Sequence, residues 1–144
     1  KERFERYIGE AERDGAKILV DGRNTKVNGK ENGTYVGPTV IDFVKPEMSV
    51  ATEEIFGPVL TVQSFRTEDE VIEKANNTPF GLSAGVWTDK GSKIFNMTTK
   101  LKAGVVWANT YNKFDPTSPF GGYKESGYGR EGGLHGLAAY INLV

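Results

Sequence analysis

Phe4, Tyr7, Ile8 and Ala11 recur at i, i+3, i+4 and i+7, which predicts an amphipathic first helix stopped by Gly15. Residues 16–20 (AKILV) read as a strand, and 21–33 (DGRNTKVNGKENG) as a polar, turn-rich surface loop. Residues 35–36 and 39–44 are extended, punctuated by Pro38 and Pro46. From there strands alternate with helices. Residues 59–65 are β-branched and apolar. Thr67 caps a helix, with Glu70 completing a capping box and Val71, Ile72 and Ala75 forming its buried face. Residues 83–87 predict another strand, 91–101 a helix with Ile94, Met97 and Leu101 on one side, and 104–108 (GVVWA) a further strand. Alternation at this spacing needs crossover connections, so the expected fold is α/β with a largely parallel sheet and helical crossovers. Residues 109–128 carry no period, and a loop of that length inside a domain is usually functional. A last helix is expected to open near Gly129, with Leu134, Leu137, Ala138 and Ile141 on one face.

Composition narrows the function classes. At 144 residues, with 38% hydrophobic and 26% charged residues, the chain reads as one soluble globular domain with a real core. A net charge of −1 gives no electrostatic reason to expect nucleic acid or an acidic membrane surface. No apolar run reaches the length of a membrane span, and KERFERYIGEAERDG lacks a signal-peptide layout. With no such signal, the sequons at Asn32, Asn76 and Asn96 read as chance matches. The absence of cysteine excludes disulfides, cysteine-based metal sites and a thiol nucleophile within this sequence, and no metal site is expected. The chain opens at Lys1 inside a helical pattern and closes on the apolar run Ile141-Asn142-Leu143-Val144, so it reads as cut from something longer.

Residues 118–136, SPFGGYKESGYGREGGLHG, pose a sharper question, because GYGREG (127–132) fits G-x-G-x-x-G. A dinucleotide fingerprint follows a strand directly, opens a helix and has an acidic residue about 20 positions on. Here Tyr123-Lys124-Glu125-Ser126 predict no strand, and the chain ends before such an acid, although an anion site at a helix opened by Gly129 is conceivable. Close approach of backbones, with positive φ, accounts better for so many glycines. With Phe114, Pro116, Pro119, Phe120 and Tyr123 interleaved, the loop suits either the lining of an apolar substrate channel or an Ω-like loop packing its own aromatics. The expectation is that 111–128 lacks regular structure and that Phe120 faces a cavity or open surface. Phe114 and Phe120 should both be unusually exposed.

EEIFGPVL (53–60), NNTPFGLSAGVWT (76–88), GVVWANTYNKFDPTSPFGGYKESGYGRE (104–131) and GLAAY (136–140) resemble, in order, the C-terminal part of the NAD(P)-dependent aldehyde dehydrogenase superfamily. The resemblance implies a partial catalytic α/β domain over 1–124. Residues 125–144 would then hold a C-terminal helix and the start of the return or oligomerisation segment. It implies oxidation of a small-molecule aldehyde to a carboxylic acid with NAD or NADP, in a cytoplasmic homo-oligomer. The family's thiolate nucleophile, its general-base Glu and its dinucleotide fold lie upstream of the matching segment, so these residues alone are expected to be inactive.

Residue by residue, the resemblance places Glu54 on the nicotinamide ribose, where a carboxylate can accept from two hydroxyls, and Phe56 packed beside it. It places Phe114 and Phe120 around the substrate tunnel, with Asn112 at its mouth. Glu131 becomes a proton relay. Read from the residues alone, Glu54 is a solvated loop acid, the three Phe are packing residues, and Glu131 is a first-turn acid favouring a helix dipole. His135, the only histidine, has no catalytic company and reads as a helix-surface residue. The alternative reading is a non-catalytic relative kept as a scaffold or binding module, against which the intact EEIFGP and GRE stand.

Overall fold

The first helix forms where the apolar spacing puts it. In the computed structural model, which describes residues 1–142, α1 spans Glu2–Arg13 and buries Tyr7, Ile8 and Ala11. Glu2 and Glu5 lie in its first turn and Arg13 in its last, complementing the helix dipole. Gly15 leaves it at φ 91°, and the Ala16 amide returns to the Ala11 carbonyl at 2.9 Å, a glycine-based stop. The chain divides into two compact units, Lys1–Thr67 and a second from Glu68 onward.

In the first unit β1 (Lys17–Val20) pairs antiparallel with β2 (Thr39–Asp42), and β2 pairs parallel with β3 (Val59–Thr61). Between β2 and β3 lies a single helical turn, α2 (Ser49–Thr52). The core gathers Tyr7, Ile8 and Ala11 of α1 with Ile41, Val44, Met48, Val50 and Ile55. Thr39 is buried among these elements, and its hydroxyl accepts from the Gly22 amide at 3.0 Å, so it is satisfied there.

The second unit opens with α3 (Glu68–Asn76), directly after Thr67, the cap expected for it. It continues through β4 (Phe80–Gly81), β5 (Ser83–Val86), α4 (Gly91–Lys100), β6 (Val105–Ala108), β7 (Tyr123–Lys124) and α5 (Gly133–Ala138). β5 and β6 pair in parallel from Ser83↔Val105 to Val86↔Ala108, with α4 as the crossover. Asn109 then extends that pair with its side chain. Its amide donates to the Thr88 carbonyl and accepts from the Thr88 amide, both at 2.9 Å, as a peptide group would. Asn76 does similar work at the helix ends, donating to the Lys100 carbonyl (2.9 Å) and accepting from the Lys102 amide (2.8 Å).

The α/β class and its crossover logic hold, with three corrections. Among the described residues the pairings fall in three small sheets, β1-β2-β3, β4-β7 and β5-β6, and β1 runs antiparallel because a loop, not a helix, joins it to β2. The face of α3 expected to be buried is not: Val71 and Ile72 are half-buried and Ala75 is exposed. The last helix starts at Gly133, four residues later than expected, because the residues before it are held by backbone bonds to the preceding loop. On it Leu134, Leu137 and Ala138 are exposed, as is Ile141 beyond it. Leu143 and Val144, the tip of the apolar end noted above, lie outside the described residues.

Candidate functional site

Two groups of candidate residues form, one in each unit. In the first unit, residues 53–57 (EEIFG) make an outward knuckle on a packed base. Ile55 is buried and anchors it, while Glu54 and Phe56 point away from the core. Phe56 is 81% exposed and holds a left-handed backbone (φ 55°), an uncommon conformation for a bulky residue and a mark of imposed geometry. Gly57 follows because the Phe4 ring fills the space a Cβ would need. The knuckle is bracketed by α1. The buried Tyr7 donates its hydroxyl to the Glu53 carboxylate at 2.6 Å, and the Arg3 guanidinium donates to the Glu54 carbonyl at 2.6 Å. Glu53 is therefore engaged internally. The Glu54 carboxylate has no hydrogen-bond or ion-pair partner among the described residues and faces solvent.

In the second unit the glycine-rich passage folds back on itself. Phe120 and Glu131 exchange backbone hydrogen bonds, both 2.7 Å, and the Gly133 amide bonds the Pro116 carbonyl at 2.9 Å. Two glycines make this possible: a Cβ on Gly121 would collide with the Gly129 carbonyl oxygen, and one on Gly104 with that of Gly121. Side chains complete the frame by donating to carbonyls. Lys124 reaches Asn76 and Thr78, each at 2.9 Å. Arg130 reaches Gly122 (3.0 Å) and Gly129 (2.8 Å), and its guanidinium lies over the Tyr123 ring.

The dinucleotide-turn reading of GYGREG finds no support in this geometry. Among the described residues the strand near it, β7, has two residues and pairs antiparallel with β4, and two residues of turn, Glu125 and Ser126, separate it from GYGREG. The helix that follows begins only after the motif, so Gly129 opens no helix and no anion site forms there in the way envisaged. Residues 111–128 are irregular except for those two. Glu131 is likewise not a first-turn acid, since it precedes the helix and sits in the bridge to Phe120.

Phe114, Phe120 and Glu131 come together around an open hollow of about 310 Å³, with Asp115, Pro116, Ser118 and Gly132. Phe114 stands edge-on to Phe120 with ring centroids 4.9 Å apart. Phe114 is 55% exposed, as expected, whereas Phe120 is half-buried beside it. The Glu131 side chain is exposed and unpaired among the described residues. Asn112 is exposed with φ 55° and is not part of the hollow's wall. His135 is on the helix surface.

Sequence reasoning missed three residues here. Trp107 meets Phe114 edge-on at 5.2 Å and Tyr111 at 6.3 Å, so the aromatic row begins in β6, and its indole N–H is buried without an acceptor among the described residues. The recurrence of aromatics at 107, 111 and 114 was the available signal. Asp115, in the hollow, accepts from the Thr117 hydroxyl (2.6 Å) and amide (2.8 Å), and these bonds hold its carboxyl below the usual carboxylate range. Among the described residues no cluster of side chains could hold a metal ion, and no helix is long and apolar enough to cross a membrane.

The model of the aldehyde dehydrogenase family matches residues 1–144. DhaS of Bacillus subtilis (strain 168), whose name assigns it to the same family, is 48% identical over 146 residues, covering 99% of this chain and 29% of the relative. The NAD+ complex of betaine aldehyde dehydrogenase from Staphylococcus aureus superposes with a TM-score of 0.91 at 39% identity, covering 96% of this chain and 28% of that one. The indole-3-acetaldehyde dehydrogenase AldA of P. syringae, solved with NAD+ and IAA, gives 0.89 at 45% identity with the same coverage. The chain thus spans less than a third of the length of the relatives it matches.

Proposed function

This chain belongs to the aldehyde dehydrogenase family, and from that premise we propose that it supplies the nicotinamide-ribose contacts and the substrate-tunnel loop for oxidation of an aldehyde to a carboxylic acid with NAD or NADP. The observation that carries the reading is the knuckle: a solvent-facing, unpartnered Glu54 carboxylate beside an outward Phe56, on a segment whose Glu53 carboxylate and Glu54 carbonyl are engaged by Tyr7 and Arg3. That donor set fits a ribose, because a free carboxylate accepts from two neighbouring hydroxyls and an exposed ring covers the sugar's apolar face. When bound, the nicotinamide dinucleotide supplies the hydride acceptor, and the NAD+ held by two of the relatives supports its choice. Glu54 orients the ribose, and Phe56 shields it from water.

In the second unit, Phe114 and Phe120 form an apolar wall for the aldehyde, with Asn112 near the mouth. Glu131 is within the same hollow and takes the proton-relay role. The sequence has no cysteine, so the thiolate nucleophile is not among these residues and the chain does not complete the reaction alone. The intact protein is read as a cytoplasmic homo-oligomer acting on a small aldehyde.

Replacing Glu54 by Gln in the intact protein tests the central assignment. Loss of one charge-assisted hydrogen bond, about 1.5–3 kcal/mol, slows single-turnover hydride transfer roughly tenfold to a hundredfold. It leaves the affinity for ADP, which lacks the nicotinamide ribose, unchanged. Hydride transfer at the original rate in Glu54→Gln would remove Glu54 from the site.

A further inference from the structure

Glu54 owes its position to groups outside the EEIFGP run. We propose that Tyr7 and Arg3 of α1 are positioning residues for the Glu54 carboxylate, an inference that rests on the ribose-binding reading of Glu54. Tyr7 is 3% exposed, so its ring is core, yet its hydroxyl leaves the core to donate to the Glu53 carboxylate at 2.6 Å. Arg3, one helical turn earlier and therefore on the same face, donates to the Glu54 carbonyl at 2.6 Å. Its guanidinium also lies 5.7 Å from the centroid of the Tyr7 ring, so the two clamps brace each other.

The two bonds fall on either side of one peptide unit. Tyr7 holds the side chain before Glu54, and Arg3 holds the carbonyl after its Cα. Ile55 is sunk into the core at 8% exposure, and Gly57 is packed under the Phe4 ring, so the downstream end is fixed as well. With both ends held, the left-handed conformation at Phe56 persists, and of the two carboxylates Glu53 is engaged while Glu54 is left free for a ligand. A loop acid with no ligand to meet would need none of this bracing. The arrangement instead holds a carboxylate pre-set for its partner, which lowers the ordering cost of binding.

The first test is Tyr7→Phe in the intact protein, which deletes one hydroxyl and keeps the buried ring. The expected result is hydride transfer slowed about threefold to tenfold and NADH affinity, followed by fluorescence titration, weakened about threefold, with ADP affinity unchanged. A role in stability alone would leave the NADH and ADP affinities in their original ratio. The second test is the double variant Tyr7→Phe/Glu54→Gln. If Tyr7 acts through Glu54, the pair is no slower than Glu54→Gln alone. Glu53→Gln, which keeps an acceptor for the Tyr7 hydroxyl, should retain more of the rate than Glu53→Ala, and Arg3→Ala should repeat the Tyr7→Phe pattern. Effects of Tyr7→Phe and Glu54→Gln that simply multiply, or an unchanged NADH-to-ADP affinity ratio in Tyr7→Phe, overturn the proposal. A silent Glu54→Gln overturns the ribose assignment beneath it.

Discussion

The unit spanning Lys1–Thr67 closes around Ile8, Ile41 and Thr39, each at most 1% exposed, whereas in the described residues from Glu68 onward Met97 and Leu101 are the buried large apolar side chains. The first unit is held by packing. The second is held largely by backbones in near contact, by Asn76 and Asn109 standing in for peptide groups, and by Lys124 and Arg130 donating to carbonyls. Each mode suits what it carries. A packed base can present one carboxylate at a defined angle, as the knuckle does with Glu54. A frame of backbone bonds leaves side chains such as Phe114, Tyr111 and Trp87 turned to open space, available to a ligand.

Three experiments break or sharpen that contrast. The largest effect is expected where packing rules. Ile8→Ala removes a side chain with no exposed surface and should cost about 2–5 kcal/mol. The loss should appear first as faster amide exchange in β2. A loss well below 1 kcal/mol would show that the first unit is not held by its core. Next comes Gly104→Ala. One methyl group meets the Gly121 carbonyl, so the backbone must shift, at about 1–3 kcal/mol. Trp107 emission and amide exchange at 120–122 should change, while β1–β2 exchange stays as it was. A silent Gly104→Ala would mean that the frame does not depend on close approach.

The smallest effect concerns Asp115. Its carboxyl is lowered by the Thr117 hydroxyl and amide, so its folded value lies below the unfolded one. The contribution of that turn is therefore complete above the ordinary carboxylate pKa of about 3.9 and is lost as pH falls through the folded value. An NMR titration should find Asp115 below the ordinary range, and Thr117→Val should bring it part of the way back. An ordinary value in the unmodified protein would take Thr117 out of the account.

How far the sequence could be read divides along the same line. The α1 face, the strands at 39–42 and 83–86, and α4 are legible because period and burial coincide there, whereas the strands at 17–20 and 105–108 are legible from their short apolar, β-branched runs alone. α2 was not, since one turn containing Val50 and Thr52 has too few residues to show a period and β-branched residues blur it. β4 and β7 were equally hidden, because a two-residue pairing between positions 80–81 and 123–124 leaves no local pattern. Close approach holds at Gly121, Gly122, Gly132, Gly133 and Gly136, but Gly127 is required only by its positive φ and Gly129 meets nothing, and nothing in GYGREG announces that Glu131 pairs with Phe120 and delays the helix to Gly133. Of the candidate site, the named residues came from resemblance to a family. The bracing of Glu54 by Tyr7 and Arg3 joins residues 46 and 51 positions apart and could come only from coordinates.

The bridge between Phe120 and Glu131 has a consequence for variation. The bonds that close this loop, from Phe120 to Glu131 and from Gly133 to Pro116, are made by main-chain atoms, which every residue except proline can supply in full. The positions that line the hollow can therefore change their side chains while the mount that holds them stays the same. Exchange at 114 or 120 alters the width and polarity of the hollow, but does not by itself remove a fastening. The glycines beneath have no such latitude. The loop behaves as a fixed socket with replaceable inserts, and its surface is remade more cheaply by changing the inserts than by rebuilding the socket.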